Sequence, residues 1–134
     1  ATDADIQLAL EVIPNDLSTA DALLDWLGGE LELGGAGICL DFGHAHLLGG
    51  APEAVEALSG HVITTHVHDN RGRSDDHLVP FSGTIDWPGA LTAIQKVGYD
   101  GPLMLEIEGR GATKETLLKA KRARERMERL MADS

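Results

Sequence analysis

The sequence lacks a second cysteine, a long apolar run and a basic N-terminal segment. Because Cys39 is the one cysteine among 134 residues, no disulfide can form within the chain, and its place inside an apolar run predicts a buried, reduced thiol. No apolar run approaches the ~20 residues that a membrane-spanning helix needs. The chain starts with ATDADIQ, which has acids where a signal peptide would have Lys or Arg. We therefore expect a globular protein of the cytoplasm that does not enter a membrane.

Positive charge is scarce over most of the sequence. Residues 1–112 hold 18 acidic and 4 basic residues, whereas residues 113–134 hold 4 acidic and 7 basic residues. The acidic part offers no broad surface to a phosphate backbone unless bound metal ions supply positive charge, which argues against nucleic acid as a partner. The basic residues near the C-terminus fall on the polar face of a predicted helix, where we expect them to be solvated.

Four short apolar runs, IQLAL, GICL, VITT and PLML, each lead into an acidic residue or a histidine; these are Glu11, Asp41, His66 and Glu106. Short runs that are apolar at successive positions and bounded by turn residues are typical of buried parallel strands. The four marked residues lie 30, 25 and 40 residues apart, close to one βα unit each. The pattern predicts an α/β fold of four βα units. Four parallel strands cannot close an eight-stranded barrel, so the sheet is either half of a barrel or open.

The segments between these runs contain signals for helix starts. Ser18 is a candidate N-cap for a first helix, and Pro52 is suited to the first turn of a second. Asp86 is a candidate N-cap for a third helix, and Thr113 opens a last helix with apolar positions three and four residues apart. The segment FGHAHLLGG, residues 42–50, is predicted to be a loop.

The carboxyl ends of parallel strands meet at one edge of a sheet, where α/β proteins build their sites. Three carboxylates and one imidazole at that edge are suitable donors for Mn, Zn or Mg. We therefore predict a divalent-metal site whose ligands are Glu11, Asp41, His66 and Glu106.

The third run and its loop, HVHDNRGRSDDHLVPFSGTIDW, hold the densest group of polar residues. His68 shares a strand face with His66, and Asp75 and His77 lie two residues apart on the loop, so these side chains are candidates for further metal binding. Arg71 could hold a phosphate or a sugar hydroxyl, with plain solvent exposure as the alternative. Asp69 is a candidate to orient one of the two strand-end histidines.

The strings LEVIPN, LDFGHAH, HVHDN…DDHL and LMLEIEG resemble the C-terminal half of the xylose-isomerase-like barrels. This superfamily includes sugar and sugar phosphate isomerases and epimerases, inosose dehydratases and metal-dependent apurinic/apyrimidinic endonucleases. The resemblance covers nearly the whole chain and implies that residues 1–134 are one domain fragment, half of a TIM (β/α)8 barrel. It also implies a partner, which is either an N-terminal half-barrel in a longer chain or a second copy of this chain.

The resemblance to sugar epimerases implies a role for each strand-end residue. Glu11 and Glu106 would be both metal ligands and catalytic bases, one removing a proton and the other returning it from the opposite face. Asp41 and His66 would complete the ligand set for a Mn, Zn, Mg or Co ion. His44 matches a histidine that contacts the substrate or a metal. The implied activity is metal-dependent isomerisation or epimerisation of a small sugar, sugar phosphate or polyol through an enediolate.

Two alternatives stay open at this point. The endonuclease branch uses additional metal ions, and three residues of this chain match its further ligands: His44, Asp75 and His77. That branch also uses histidines from the other half of its barrel and would need a basic groove for DNA. The second alternative is a non-catalytic half-barrel whose metal site is structural or vestigial.

Overall fold

The computed structural model of the protein describes residues 4–29, 35–109 and 111–133. Along these residues the elements are β1 (Ala9–Glu11), α1 (Ala20–Gly28), β2 (Gly37–Asp41), α2 (Phe42–Leu47), α3 (Ala51–Ala57), β3 (Val62–Val67), α4 (Trp87–Lys96), β4 (Met104–Leu105) and α5 (Thr113–Ala132). The strands form one sheet in the order β1-β2-β3-β4, and every neighbouring pair is parallel. The predicted α/β class with four parallel strands is therefore confirmed.

Three of the predicted helix starts agree with the structure, and one lies a residue too early. Asp86 caps α4 by accepting a hydrogen bond from the backbone N–H of Gly89. Pro52 stands in the first turn of α3, and α5 begins at Thr113. The N-cap of α1 is Thr19, whose hydroxyl accepts from the N–H of Ala22 at 3.2 Å. The prediction of Ser18 as this cap was wrong.

Residues 42–47 form the short helix α2, so the prediction of a loop there was wrong. The carboxylate of Asp41 accepts a hydrogen bond from the N–H of His44 at 2.8 Å and thereby caps the helix. A capped first turn offsets the low helix propensity of Gly43. As a result, β2 passes directly into α2, and His44 lies one turn beyond Asp41.

The centre of the sheet has a buried, apolar face on the side that packs against the helices. Ile38 and Leu40 of β2 are fully buried and belong to the same apolar core as Trp87, Leu91 and Ile94 of α4. Because side chains alternate along a strand, the remaining β2 residues project to the opposite face of the sheet. Asp41 is one of them, and it is fully buried as well.

The two outer strands are much more exposed than predicted. Ile6 and Leu8, which lie just before β1, are 60% and 52% exposed. Met104 of β4 is 53% exposed. The interpretation of all four runs as buried strands was therefore wrong for β1 and β4. Each of these strands has a neighbour on one side only, so its free edge and part of its apolar surface meet solvent.

The pairing of β2 with β3 shifts by one residue, from Ile38–Val62 to Cys39–Thr64. Ile63 is therefore an extra residue in β3. Beyond it, Asp41 pairs with His66, so both side chains lie at one level of the sheet. Since a shift of one residue turns every side chain to the other face of a strand, this irregularity decides that His66 and not Thr65 faces Asp41.

Helix α5 covers the outside of α4. Ala120, Ala123 and Met127 are buried, whereas Leu117 of the same helix is 63% exposed. The charged face of α5 carries Glu–Lys and Glu–Arg pairs four residues apart, as expected for a solvated surface. Among the described helices, none is both long enough and apolar enough to span a membrane.

Candidate metal centre

Glu11, Asp41, His66 and Glu106, which we call the strand-end cluster, converge as the sequence predicts. Each offers one donor atom, and these atoms lie within 4.8 Å of one another. The Nδ1 atom of His66 lies 2.9 Å from Glu11 Oε1, 3.3 Å from Glu106 Oε2 and 3.8 Å from Asp41 Oδ2. Donors of a tetrahedral zinc site at bonds of ~2.1 Å stand roughly 3.4 Å apart. The residue types and their spacing therefore fit a divalent cation.

The strand-end cluster is buried at one side and open at the other. Asp41 is inaccessible, His66 and Glu11 are 25% and 30% exposed, and Glu106 is 47% exposed. A cleft of about 370 Å³ lies on the Glu106 side, lined by Asp75, His77, Glu106, Ile107 and Glu108. A small polar molecule can therefore reach Glu106 from solvent.

Cys39 lies beneath the strand-end cluster, and the sequence reasoning missed this placement. Its sulfur could form a three-donor group with Glu11 and His66. Burial, reinforced by the charges of Glu11, Asp41 and Glu106, raises the pKa of the Cys39 thiol to about 12. The thiol therefore keeps its proton and is no metal ligand unless a cation displaces that proton. Its position two residues before Asp41 on the same strand face was the signal available in the sequence.

Asp41 is held from two sides. Its Oδ1 atom accepts the N–H of His44 at 2.8 Å and lies 2.9 Å from Nε2 of the fully buried His68. An imidazole that donates to a carboxylate fixes the orientation of that carboxylate. The other ring nitrogen of His68, Nδ1, is buried without a hydrogen-bond partner, because the ring rests on the backbone of Gly43.

We expect the substitution Gly43→Ala to destabilise the protein by about 1–3 kcal/mol, since the added methyl group would overlap the ring of His68. His68 would have to leave Asp41. Thermal or urea denaturation measures the change. Gly28→Ala is the matched control, because nothing lies within 4 Å of its added Cβ and an alanine in a helix is favoured by about 0.5–1 kcal/mol. Equal effects of the two substitutions would contradict this account of His68.

A second group, which we call the loop cluster, consists of His44, His68, Asp75 and His77, with donor atoms again within 4.8 Å of one another. Asp75 Oδ2 lies 3.1 Å from Nε2 of His44 and 3.2 Å from Nε2 of His77. Asp75 Oδ1 lies 3.7 Å from Nε2 of His68. The rings of His68 and His77 stack at 3.9 Å. The structure thus brings together the further metal-binding candidates of the sequence, His44, His68, Asp75 and His77.

The hydrogen bonds of the loop cluster fix which nitrogen of each ring carries a proton. Nδ1–H of His44 donates to the carbonyl of Val12, and Nδ1–H of His77 donates to the carbonyl of Glu106, both at 2.9 Å. A carbonyl only accepts, so Nε2 of each neutral ring is an unprotonated lone pair that faces Asp75. Two lone pairs would then face a carboxylate, and these acceptors repel one another. Either a second proton on each ring or a shared cation must offset this repulsion.

The pKa shifts in the loop cluster agree with that requirement. Burial lowers the pKa of His44, but the charges of Asp41 and Asp75 outweigh it and the net pKa is raised. His77 behaves in the same way: burial opposes protonation, while the carbonyl of Glu106 and the charge of Asp75 raise its pKa. Burial raises the pKa of Asp75, yet its contacts with His44 and His77 lower it overall. A negative carboxylate between two imidazoles is thus the favoured state.

Asp69 does not orient a strand-end histidine, and that prediction was wrong. It is fully buried, and its carboxylate accepts hydrogen bonds from the loop's own donors: the backbone N–H groups of Asn70, Gly83 and Ile85 and the indole N–H of Trp87. Asp69 therefore closes the long loop onto the start of α4.

Two other polar residues of the sequence are not members of the two clusters as defined above. Arg71 is exposed, and its contact with a phosphate or a sugar hydroxyl stays a prediction. His46 contacts the hydroxyl of Thr84 at 2.9 Å, so it links α2 to the far end of the loop. His46 is therefore outside the two groups of candidate metal ligands.

The comparisons with known proteins agree with this architecture. The sequence model of the family described as "Xylose isomerase-like TIM barrel" matches residues 1–132. The chain therefore belongs to the xylose isomerase-like TIM barrel family. Among curated proteins, it is 42% identical over 73 residues to the uncharacterized protein y4fM of Sinorhizobium fredii, covering 52% of this chain and 23% of that protein. It is 34% identical over 113 residues to the uncharacterized protein MJ1311 of Methanocaldococcus jannaschii, covering 79% and 38%.

A solved structure shows how much of the barrel this chain represents. The crystal structure of a D-tagatose 3-epimerase-like protein superposes with a TM-score of 0.83 at 28% sequence identity, covering 99% of this chain and 51% of that chain. The chain thus spans about half of this structural relative and less than half of the two curated relatives. Four parallel βα units that match half of a barrel confirm the predicted half-barrel fold.

Proposed function

We propose that the protein carries the catalytic half of a metal-dependent isomerase or epimerase that acts on a small sugar, sugar phosphate or polyol. The observation that carries this proposal is the strand-end cluster, in which two glutamates from the two outer strands approach one histidine. Glu11 Oε1 and Glu106 Oε2 lie 2.9 and 3.3 Å from the same atom of His66. Two carboxylates on separate strands can serve two faces of one substrate carbon.

Glu11, Asp41, His66 and Glu106 would hold the cation, which we propose to be Mn, Zn, Mg or Co. When bound, it would supply a Lewis acid that makes a proton next to a carbonyl removable and stabilises the enediolate charge. Asp41 suits a purely binding role, because it is buried and already engaged by His44 and His68. His66 presents Nδ1 to all three carboxylates.

The proton transfers fall to the two glutamates. Glu11 and Glu106 are the more exposed members of the cluster, so their carboxylates can meet both the cation and a bound sugar. One carboxylate removes the proton from the substrate carbon, and the other returns a proton from the opposite face. The cleft beside Glu106, at about 370 Å³, is within the usual size of small-molecule sites.

The similarity to a D-tagatose 3-epimerase-like protein supports a sugar as the substrate. The acidic composition supports the same class, because residues 1–112 hold 18 acidic and 4 basic residues. Sugar hydroxyl groups need hydrogen-bond acceptors and donors and do not need a field of positive charge. His44 would contact the substrate or a further cation.

We also propose that the active unit contains the strands of a second half-barrel. The apolar side chains at both outer strands, among them Ile6, Leu8 and Met104, are more than half exposed. Such edges favour pairing with further strands. An N-terminal half in a longer chain would cover both edges, and a second copy of the chain is the alternative source.

The loop cluster favours one further candidate function, a phosphodiester hydrolase with several metal ions. Asp75 and the lone pairs of His44 and His77 would bind a second cation next to the strand-end cluster. Paired metal ions are typical of phosphate chemistry. The excess of acidic residues opposes it, because a nucleic-acid substrate needs a basic groove.

Proton exchange on sugars tests the proposed function. We expect the protein, with its second half-barrel, to exchange a carbon-bound proton of at least one ketose with deuterium from D2O. Chelation by EDTA should remove the exchange, and Mn²⁺, Zn²⁺, Mg²⁺ or Co²⁺ should restore it. NMR of a panel of ketoses, sugar phosphates and inososes measures the reaction.

DNA that contains an abasic site is the parallel substrate. Efficient incision of this DNA without exchange on any sugar would replace the first proposed function with the second. Neither activity, in a protein whose metal content is stoichiometric, would point to a non-catalytic metal site.

A further inference from the structure

Beyond its suitability for a cation, the loop cluster joins the two outer strands of the sheet. His44 donates to the carbonyl of Val12, the residue after Glu11, and His77 donates to the carbonyl of Glu106. The Nε2 atoms of the two rings meet the same oxygen, Oδ2 of Asp75, at 3.1 and 3.2 Å. A continuous chain of contacts therefore runs from the end of β1 to the end of β4.

The sheet itself gives the two strand ends no direct contact. β1 pairs with β2, and β4 pairs with β3, so two strands stand between the outer pair. The N–H of Val12 donates to Cys39 of β2, and the N–H of Glu106 donates to Val67 of β3. These bonds hold each end to its inner neighbour. The distance between the two strand ends therefore depends on the twist of the sheet and on the side-chain contacts that cross the carboxyl-terminal edge of the sheet.

We propose that Asp75 is a positioning residue that fixes the distance between Glu11 and Glu106 by clasping the ends of their strands through His44 and His77. This inference rests on the proposed function, because the distance matters for proton transfer between two faces of one carbon. Asp75 itself would not touch the reacting atoms.

The loop between β3 and α4 is fixed by hydrogen bonds on both sides of Asp75, as a positioning role requires. Asp69 closes the loop with four hydrogen bonds, and the amide of Asn70 donates to the carbonyl of Gly43 at 2.8 Å. On the far side, the N–H of Glu108 donates to the carbonyl of His77 at 2.9 Å. The loop is thus anchored to α2 at one end and to the segment after β4 at the other, with Asp75 between the anchors.

The amide of Glu108 gives a readout that needs no catalytic activity. Its N–H is protected by a carbonyl of the loop, whereas the N–H groups of Glu106 and Val12 are protected by inner strands. In chelator-treated Asp75→Ala protein, we expect hydrogen exchange at Glu108 to speed up about tenfold or more, while Glu106 and Val12 keep their protection. NMR of the whole protein measures all three amides in one experiment.

Two further variants complete the test. Asp16→Ala removes the same charge from an exposed position between β1 and α1, and should leave Glu108 protected. Asp75→Asn keeps an acceptor oxygen and should restore part of the protection. Unchanged exchange at Glu108 in Asp75→Ala would overturn the proposal. Equal acceleration at all three amides would also overturn it, because Asp75 would then act on overall stability.

The consequence for catalysis is measured separately. If the sugar activity exists, Asp75→Ala should lower kcat for proton exchange by about 10²-fold with little change in KM, the effect of misplacing a reacting group by about 1 Å. A rise in KM at constant kcat would overturn the positioning role. Absence of any sugar activity in the parent protein would refute the proposed function and leave the exchange experiment on the amides intact.

Discussion

Glu106→Gln should slow the interconversion of the two epimers by about 10²–10⁴-fold, the usual contribution of a positioned base. The expected pattern is more specific than a loss of activity. The epimer whose carbon-bound proton faces Glu11 should still exchange that proton with D2O, but it should no longer convert into the other epimer. Glu106→Gln therefore separates exchange from epimerisation, and NMR of the product mixture measures both rates.

Metal content decides how that result is interpreted, because Glu106 is also a proposed ligand. Elemental analysis of the variant shows whether the cation is retained; Asp41 and His66, which are more deeply placed, are expected to keep it. Glu56→Gln is the control, since Glu56 is 58% exposed and pairs with Lys96 on the outer surface. Exchange and epimerisation lost in equal measure, with the cation still bound, would contradict a two-base mechanism.

Asp69→Ala is expected to lower the free energy of unfolding by about 3 kcal/mol or more. The substitution leaves four N–H donors without their acceptor, and a buried donor without a partner costs about 1–3 kcal/mol. One of these donors is the indole of Trp87, which is 1% exposed in the core and cannot turn to water. Urea denaturation measures the change.

Asp16→Ala is again the natural comparison. It removes an exposed carboxylate outside that loop, and its effect should stay within about 0.5 kcal/mol, as for most surface substitutions. A loss below about 1 kcal/mol for Asp69→Ala would show that water replaces the carboxylate, and that the loop is held mainly by other contacts.

The sequence was sufficient for the order of the four strands and for the convergence of the four strand-end residues. Apolar runs, turn residues and the spacing of one βα unit are local properties, and parallel strands bring their ends together whatever lies between them. The same local evidence could not tell inner strands from outer ones. A run such as PLML looks equally apolar in either place, and only the missing neighbour exposes Met104.

The contacts of the loop were beyond sequence reasoning for a different reason. Asp69 was assigned to a nearby histidine because proximity along the chain was the only guide, whereas its partners lie up to 18 residues away. The helix at residues 42–47 was missed because Gly43 opposes a helix, and its stability comes from the cap at Asp41. In both cases a single buried carboxylate, satisfied by several N–H groups, organises a segment that has no periodic pattern.

The extra residue in β3 also bears on how such a site is lost or inherited. Ile63 contributes nothing to the chemistry, and its side chain lies over Gly37 on the neighbouring strand. Yet removal of this one codon would leave all four proposed ligands in the sequence while turning the imidazole of His66 away from the carboxylates. A relative can therefore retain all four proposed ligands and still lack the convergence that a metal site needs. The length of β3 matters as much as the identity of its residues.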